Sequence, residues 1–181
     1  MNKLDTNDRL VIVIDVQEKL VDMLRENIIS EKVSKLVQAA NILSVPVLLT
    51  EQYPKGLGAT VGRVKEVLSK DTAYFEKTTF SALDTEGIGE KIKSYGRKQI
   101  VLCGIETHIC VHQTCADLLA RGYDVYIVKD ACASRNKCEF ELGINIMQQN
   151  GAKITCLEIT LFEWLRSAKH PNFKVVQALI K

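Results

Sequence analysis

The 181-residue chain carries 24 Lys and Arg against 22 Asp and Glu, a formal net charge of +2, with no basic run longer than two residues. That balance lacks the concentrated basic surface of a nucleic-acid binder, and no apolar run reaches the length of a membrane span. With 46% hydrophobic and 25% charged residues, the composition is that of one globular domain, residues 1–181, with a sizeable core. The polar N-terminus, MNKLDTNDRL, and the interruption at Asp15 exclude a signal-peptide core. Six cysteines without a CxxC pair or an export signal point to a reducing, cytoplasmic compartment.

Leu10–Ile14 is a continuous apolar run, the pattern of a strand covered on both faces. Val16–Leu24 and Glu31–Leu43 read as helix, the latter with Val33, Leu36, Val37, Ala40 and Leu43 at helical spacing. Pro46–Thr50 is the second strand, followed by a turn-rich loop from Glu51 to Gly58. Val61–Leu68 is a short helix and Ala73–Lys77 a third strand. Ile88–Tyr95 is helical and stops at Gly96. Ile100–Cys103 is the fourth strand, broken by Gly104, and Ile109–Arg121 is the next helix, stopped by Gly122. Asp124–Lys129 is the fifth strand, Lys137–Asn150 a helix, and Ala152–Leu157 the sixth strand. Helical pieces at Leu161–Ser167 and Phe173–Ile180 close the chain. The alternation predicts an α/β fold, a three-layer α/β/α arrangement around a mostly parallel six-stranded sheet. Strand order is not readable from the pattern.

Ligands of open parallel sheets bind at the carboxyl ends of the strands. Asp15, Glu51, Lys77, Cys110, Asp130 and Glu158 fall at or just past those ends. Cys110 begins a helix, where free N–H groups and the helix dipole favour a thiolate over the ordinary value of about 8.5; the alternative is a small buried cysteine without chemistry. Asp15 is the best-placed base, or else a helix N-cap. Lys77 would stabilise both anions, or else is a solvated lysine. Asp130 is expected to hold its loop through Ser134 or nearby N–H groups. His108 and His112 share a spacing that suits a metal pair, but no third ligand follows, so no metal is expected. No phosphate-cradling glycine motif is present. Gln17, Tyr53 and Phe80, just past the first three strand ends, are expected as substrate-pocket walls; Tyr53 and Phe80 also suit ordinary packing.

Three motifs in order carry a family resemblance. They are Ile14-Asp15-Val16-Gln17, Lys77-Thr-Thr-Phe-Ser-Ala82 and Gly104-Ile-Glu-Thr-His-Ile-Cys-Val111. Together they resemble the isochorismatase-like cysteine hydrolases. Thr50-Glu-Gln-Tyr-Pro-Lys-Gly-Leu-Gly58, Asp130-Ala-Cys-Ala-Ser-Arg135 and His170-Pro-Asn-Phe-Lys174 look like the subgroup of isochorismatase domain-containing proteins. The resemblance implies a Cys110–Asp15–Lys77 triad and a cis peptide between Ile105 and Glu106. It also implies an oxyanion hole from the backbone N–H groups of Glu106 and Cys110. Two departures stand out. Members that hydrolyse nicotinamide carry an Asp-x-His metal motif after the second strand, where this chain reads Glu51-Gln52-Tyr53. True isochorismatases lack the nucleophilic cysteine that is present here.

The expectation is a cysteine hydrolase of a small amide or related C–N bond, acting through a thioester. It needs no cofactor, takes a small-molecule substrate, engages neither nucleic acid nor membrane, and self-associates as a homo-oligomer by analogy with the family. One alternative is a non-catalytic or redox-sensitive binding or scaffold protein that retains the fold. A nuclease is a further reading, and it predicts salt-dependent RNA binding.

Overall fold

A computed structural model describes residues 6–24 and 28–181. Six strands are β1 (Arg9–Ile14), β2 (Val47–Gln52), β3 (Ala73–Lys77), β4 (Gln99–Ile105), β5 (Asp124–Ala133) and β6 (Lys153–Thr155). They form one all-parallel sheet in the order β3-β2-β1-β4-β5-β6. Every residue of β1 and β4 is buried, as their unbroken apolar runs require when helices cover both faces. At the edge, β3 alternates between half-buried and exposed positions until Lys77, which is buried.

The helices are α1 (Glu18–Asp22), α2 (Ile29–Ile42), α3 (Pro54–Leu57), α4 (Gly62–Lys65), α5 (Ile88–Ser94), α6 (His112–Ala120), α7 (Lys137–Gln149), α8 (Leu157–Leu165) and α9 (Phe173–Ala178). The α2 and α8 helices pack together, and so do α6 and α7; each pair also contacts β5. The sheet is the middle layer between them.

From β1 the chain steps outward through β2 to β3, then returns to the other side of β1 for β4, β5 and β6. The order therefore reverses between β1 and β4, and a crevice opens there at the carboxyl ends. The two strands approach closely at that end. Gly104, with φ +131, pairs with Ile14, and a Cβ on it would lie 2.0 Å from the Ile14 carbonyl oxygen. Only glycine fits this seam.

The structure shifts several expected boundaries. The β5 strand runs on to Ala133, so Asp130 is inside it. The β6 strand is only three residues long, and α8 begins at Leu157, so Glu158 is helical rather than a strand end. Asp130 does not fasten its own loop to Ser134. Its Oδ1 accepts from the Leu157 backbone N–H at 2.7 Å, and its Oδ2 pairs with Lys32 at 3.3 Å. A carboxylate at the first turn of a helix satisfies one of the N–H groups left without an intrahelical acceptor, which is why the helix starts early. Ser134 instead bonds His108 Nδ1 at 3.0 Å.

Candidate active site

Each group of the site is delivered by a different strand end. Asp15 follows β1 in the left-handed region, φ +52, which non-glycine residues seldom occupy. Its backbone N–H still donates to Thr50 O at 3.2 Å. The turn buries its carboxylate completely. Asp15 is not a helix cap: Gln17 occupies that position for α1. Thr50 of β2 donates its hydroxyl to Asp15 Oδ1 at 2.7 Å. The Lys77 ammonium, at the end of β3, lies 2.7 Å from Asp15 Oδ2, with both side chains fully buried. Cys110 follows β4 and hydrogen-bonds Asp15 through its thiol.

Cys110 does not open an ordinary α-helix. Residues Thr107–Val111 form a π-helical turn ahead of α6, with the Val111 N–H donating to Glu106 O at 3.2 Å. Such turns recur at functional sites. The Ile105–Glu106 peptide before it is cis, and the Glu106 backbone hydrogen-bonds the Cys110 sulfur. The Glu106 side chain turns the other way. Its Oε1 accepts from Arg135 Nε at 2.9 Å and from the Arg135 backbone N–H at 3.2 Å.

The electrostatics differ from what a helix start alone predicts. The thiol of Cys110 is pushed up to about 12, first by burial and then by the Asp15 charge; Lys77 and the Glu106 backbone oppose this. Burial also raises Asp15, against Lys77, Thr50 and Cys110. The expected low thiol value is thus corrected: burial, with the Asp15 carboxylate second, outweighs the helix start. The two groups titrate as a pair. With one ammonium beside them, the favoured state holds a single negative charge and one shared proton. Moving that proton from sulfur to carboxylate leaves the net charge of the site unchanged.

Lys77 is unusually crowded with acceptors. Its Nζ lies 2.7 Å from Gln52 Oε1, 3.1 Å from Thr79 O and 3.3 Å from Phe80 O, in addition to Asp15. An ammonium has three N–H bonds, so these four oxygens compete for them.

The three expected pocket residues divide. Gln17 is fully buried. Its amide donates to Gln52 O at 3.0 Å and Gly58 O at 2.7 Å, and accepts from the Gln52 N–H at 2.7 Å. It ties the ends of β1 and β2 to the following loop. Tyr53 and Phe80 are 54% and 55% exposed. Tyr53 borders an open groove of about 450 Å³ that also meets Lys55, Glu76, Lys77, Asp84 and Glu86. Among the described residues no three His, Cys, Asp or Glu side chains gather as a metal site. His108 faces Ser134 and, at 3.7 Å, Glu139. Sequence reasoning missed Thr50 and Gln52. Thr50 was visible only as a polar residue closing an apolar strand, and Gln52 only as a neighbour of the metal motif that this chain lacks.

Residues 9–159 match the family model described as the isochorismatase domain. The chain belongs to the isochorismatase family. It is similar to isochorismatase domain-containing protein 2 of Xenopus laevis, 41% identical, covering 99% of this chain and 87% of that protein. The secreted isochorismatase effector Isc1 of Phytophthora sojae is 36% identical, covering 100% of this chain and 88% of the effector. A solved structure described as MAR1 ribonuclease from Caenorhabditis elegans is 38% identical with a TM-score of 0.93, covering 99% of this chain and 92% of that one. The Escherichia coli YcaC structure, described as an octameric hydrolase of unknown specificity, is 24% identical with a TM-score of 0.88, covering 97% and 95%; this is a likeness of fold. The isochorismatase-like α/β fold expected from the motifs is thus observed. Among the described residues no helix is long and apolar enough to cross a membrane.

Proposed function

We propose that this isochorismatase-family member is a cysteine hydrolase of a small amide or related C–N bond, with Cys110 as nucleophile, Asp15 as base and Lys77 as the compensating cation. The observation that carries this reading is the buried Asp15–Lys77 contact of 2.7 Å, with the Cys110 thiol bonded to the same carboxylate. Asp15 takes the thiol proton as the sulfur attacks the carbonyl carbon. The negative charge passes to the carbonyl oxygen, which the backbone N–H groups of Glu106 and Cys110 hold; such donors contribute about 2.7–4 kcal/mol each in comparable sites. Collapse of the adduct breaks the C–N bond, and Asp15 gives its proton to the departing amine. Water then attacks the thioester, Asp15 accepts a proton from it, and the thiol is restored.

Tyr53 and Phe80 form the mouth and Gln17 fixes the loop that carries Tyr53. No cofactor is needed for these steps. A reducing compartment suits a free thiol, and a homo-oligomer is the assembly that the octameric neighbour favours. The test is ammonia release from a panel of small amides, with trapping of the acyl group on Cys110 by mass spectrometry. Turnover undiminished in Cys110→Ala sinks the reading.

One observation favours a second reading: the Caenorhabditis elegans neighbour is described as a ribonuclease. Against it stand the net charge of only +2 and the carboxylates Glu76, Asp84 and Glu86 on the groove beside Lys77, which repel phosphates. RNA cleavage lost in Cys110→Ala, with binding that weakens steeply as salt rises, would replace the amide by a phosphodiester.

A further inference from the structure

The Lys77 ammonium offers three N–H bonds to four oxygens. Three of those oxygens are neutral: Gln52 Oε1, Thr79 O and Phe80 O. The fourth belongs to Asp15, and among the described residues it is the one carboxylate that pairs with Lys77. The Asp15 Oδ2 contact, at 2.7 Å, competes with these three oxygens for the N–H bonds of Lys77. Gln52 is held for this task at several points. Its Nε2 donates to Thr78 O at 3.0 Å, and its backbone N–H donates to Gln17 Oε1 at 2.7 Å. The nearby acids are occupied elsewhere. Glu51 on β2 bonds Thr60 and Tyr74, Glu76 on β3 also meets Tyr74, and Glu106 after β4 bonds Arg135.

We propose that Gln52 is a positioning residue that competes with Asp15 for the N–H bonds of Lys77, loosening the hold of the ammonium so that the carboxylate can take the Cys110 proton. The proposal rests on the triad reading above. A lysine that gave Asp15 its N–H bonds without competition would hold the carboxylate more firmly in its charged form and oppose proton transfer from sulfur. A carboxylate in place of Gln52 would do the reverse. It would take the ammonium for itself and leave Asp15 poorly compensated. A neutral acceptor of this length is the intermediate choice.

The experiment is the rate of Cys110 alkylation by iodoacetamide against pH, with the site located by peptide mapping. It needs no substrate. Two variants, Gln52→Met and Gln52→Glu, keep the side-chain length. In the wild type the rate rises with ionisation of the Asp15–Cys110 pair and is then flat through neutrality. Gln52→Met moves that rise to lower pH and lowers the plateau several-fold. Gln52→Glu moves the rise up by about one unit, the lower end of the range for a neighbouring charge. General loosening of the site would move both variants the same way. A shift in the same direction, or in neither, overturns the proposal, and so does a variant that does not fold while the other leaves the curve unmoved. If wild-type Cys110 shows no rise at all and no response to Lys77→Met, the triad reading itself fails.

Discussion

Two carboxylate–cation pairs flank Cys110, and they use the same chemical ingredients differently. Asp15 and Lys77 meet at 2.7 Å with both side chains fully buried. Glu106 and Arg135 meet at 2.9 Å, but half of the Arg135 side chain is open to solvent. The first pair gives Asp15 a raised pKa and couples it to a thiol. In the second only the cation reaches water, the Glu106 carboxylate being 8% exposed, and the Arg135 backbone N–H also bonds Glu106. Depth rather than charge separates a reactive pair from a structural one, because the cost of desolvation sets how freely a proton moves.

The sharpest way to break the first pair is Lys77→Met. It strands a buried anion, and removing one partner of such a pair costs about 3–5 kcal/mol. The expected result is a large drop in the urea midpoint with loss of Cys110 alkylation at neutral pH. Asp15→Asn comes next. Removing a general base costs about 10²–10⁴ in rate, read as alkylation or turnover at pH 7. The same variant tests linkage. Asp15 has a folded-state pKa above its ordinary 3.8. Its contribution is therefore most favourable while the acid is protonated and is lost as pH rises through the raised value. As pH rises above 3.8 the wild type should lose stability relative to Asp15→Asn, and parallel curves would show that Asp15 is not raised. Arg135→Ala should do least. Glu106 is only 8% exposed, but it keeps the Arg135 backbone bond, so the loss should exceed the ~1 kcal/mol of a surface pair and stay below the ~3–5 kcal/mol of the fully buried one. A larger loss in the urea midpoint would show that the second pair is not merely structural.

The sheet was legible because β1, β2, β4 and β5 are continuous apolar runs, which only a doubly covered strand needs. The β6 strand and the start of α8 were misjudged for a definite reason. Ile154 and Leu157 suit either element, and the Asp130 carboxylate that starts the helix comes from 27 residues earlier. The triad was legible through three motifs at strand ends. The state of the thiol was not, since the dipole is a local feature whereas the burial that chiefly raises it, and the Asp15 carboxylate across the β1–β4 seam, come from the fold. Thr50 and Gln52 escaped for the same cause: each acts on a group on another strand, and no spacing within its own segment records this.

The position of β1 between β2 and β4 also carries a consequence for the birth of the protein. Arg9 and Gln99 are paired neighbours in the sheet but 90 residues apart in the chain. Pairing over such a separation carries a loop-closure cost that local structure does not repay. During synthesis the base Asp15 emerges long before the nucleophile Cys110, with no strand beside it to complete the seam. A ribosome-bound chain stalled before β4 therefore holds the base Asp15 and the cation Lys77 but no thiol to activate.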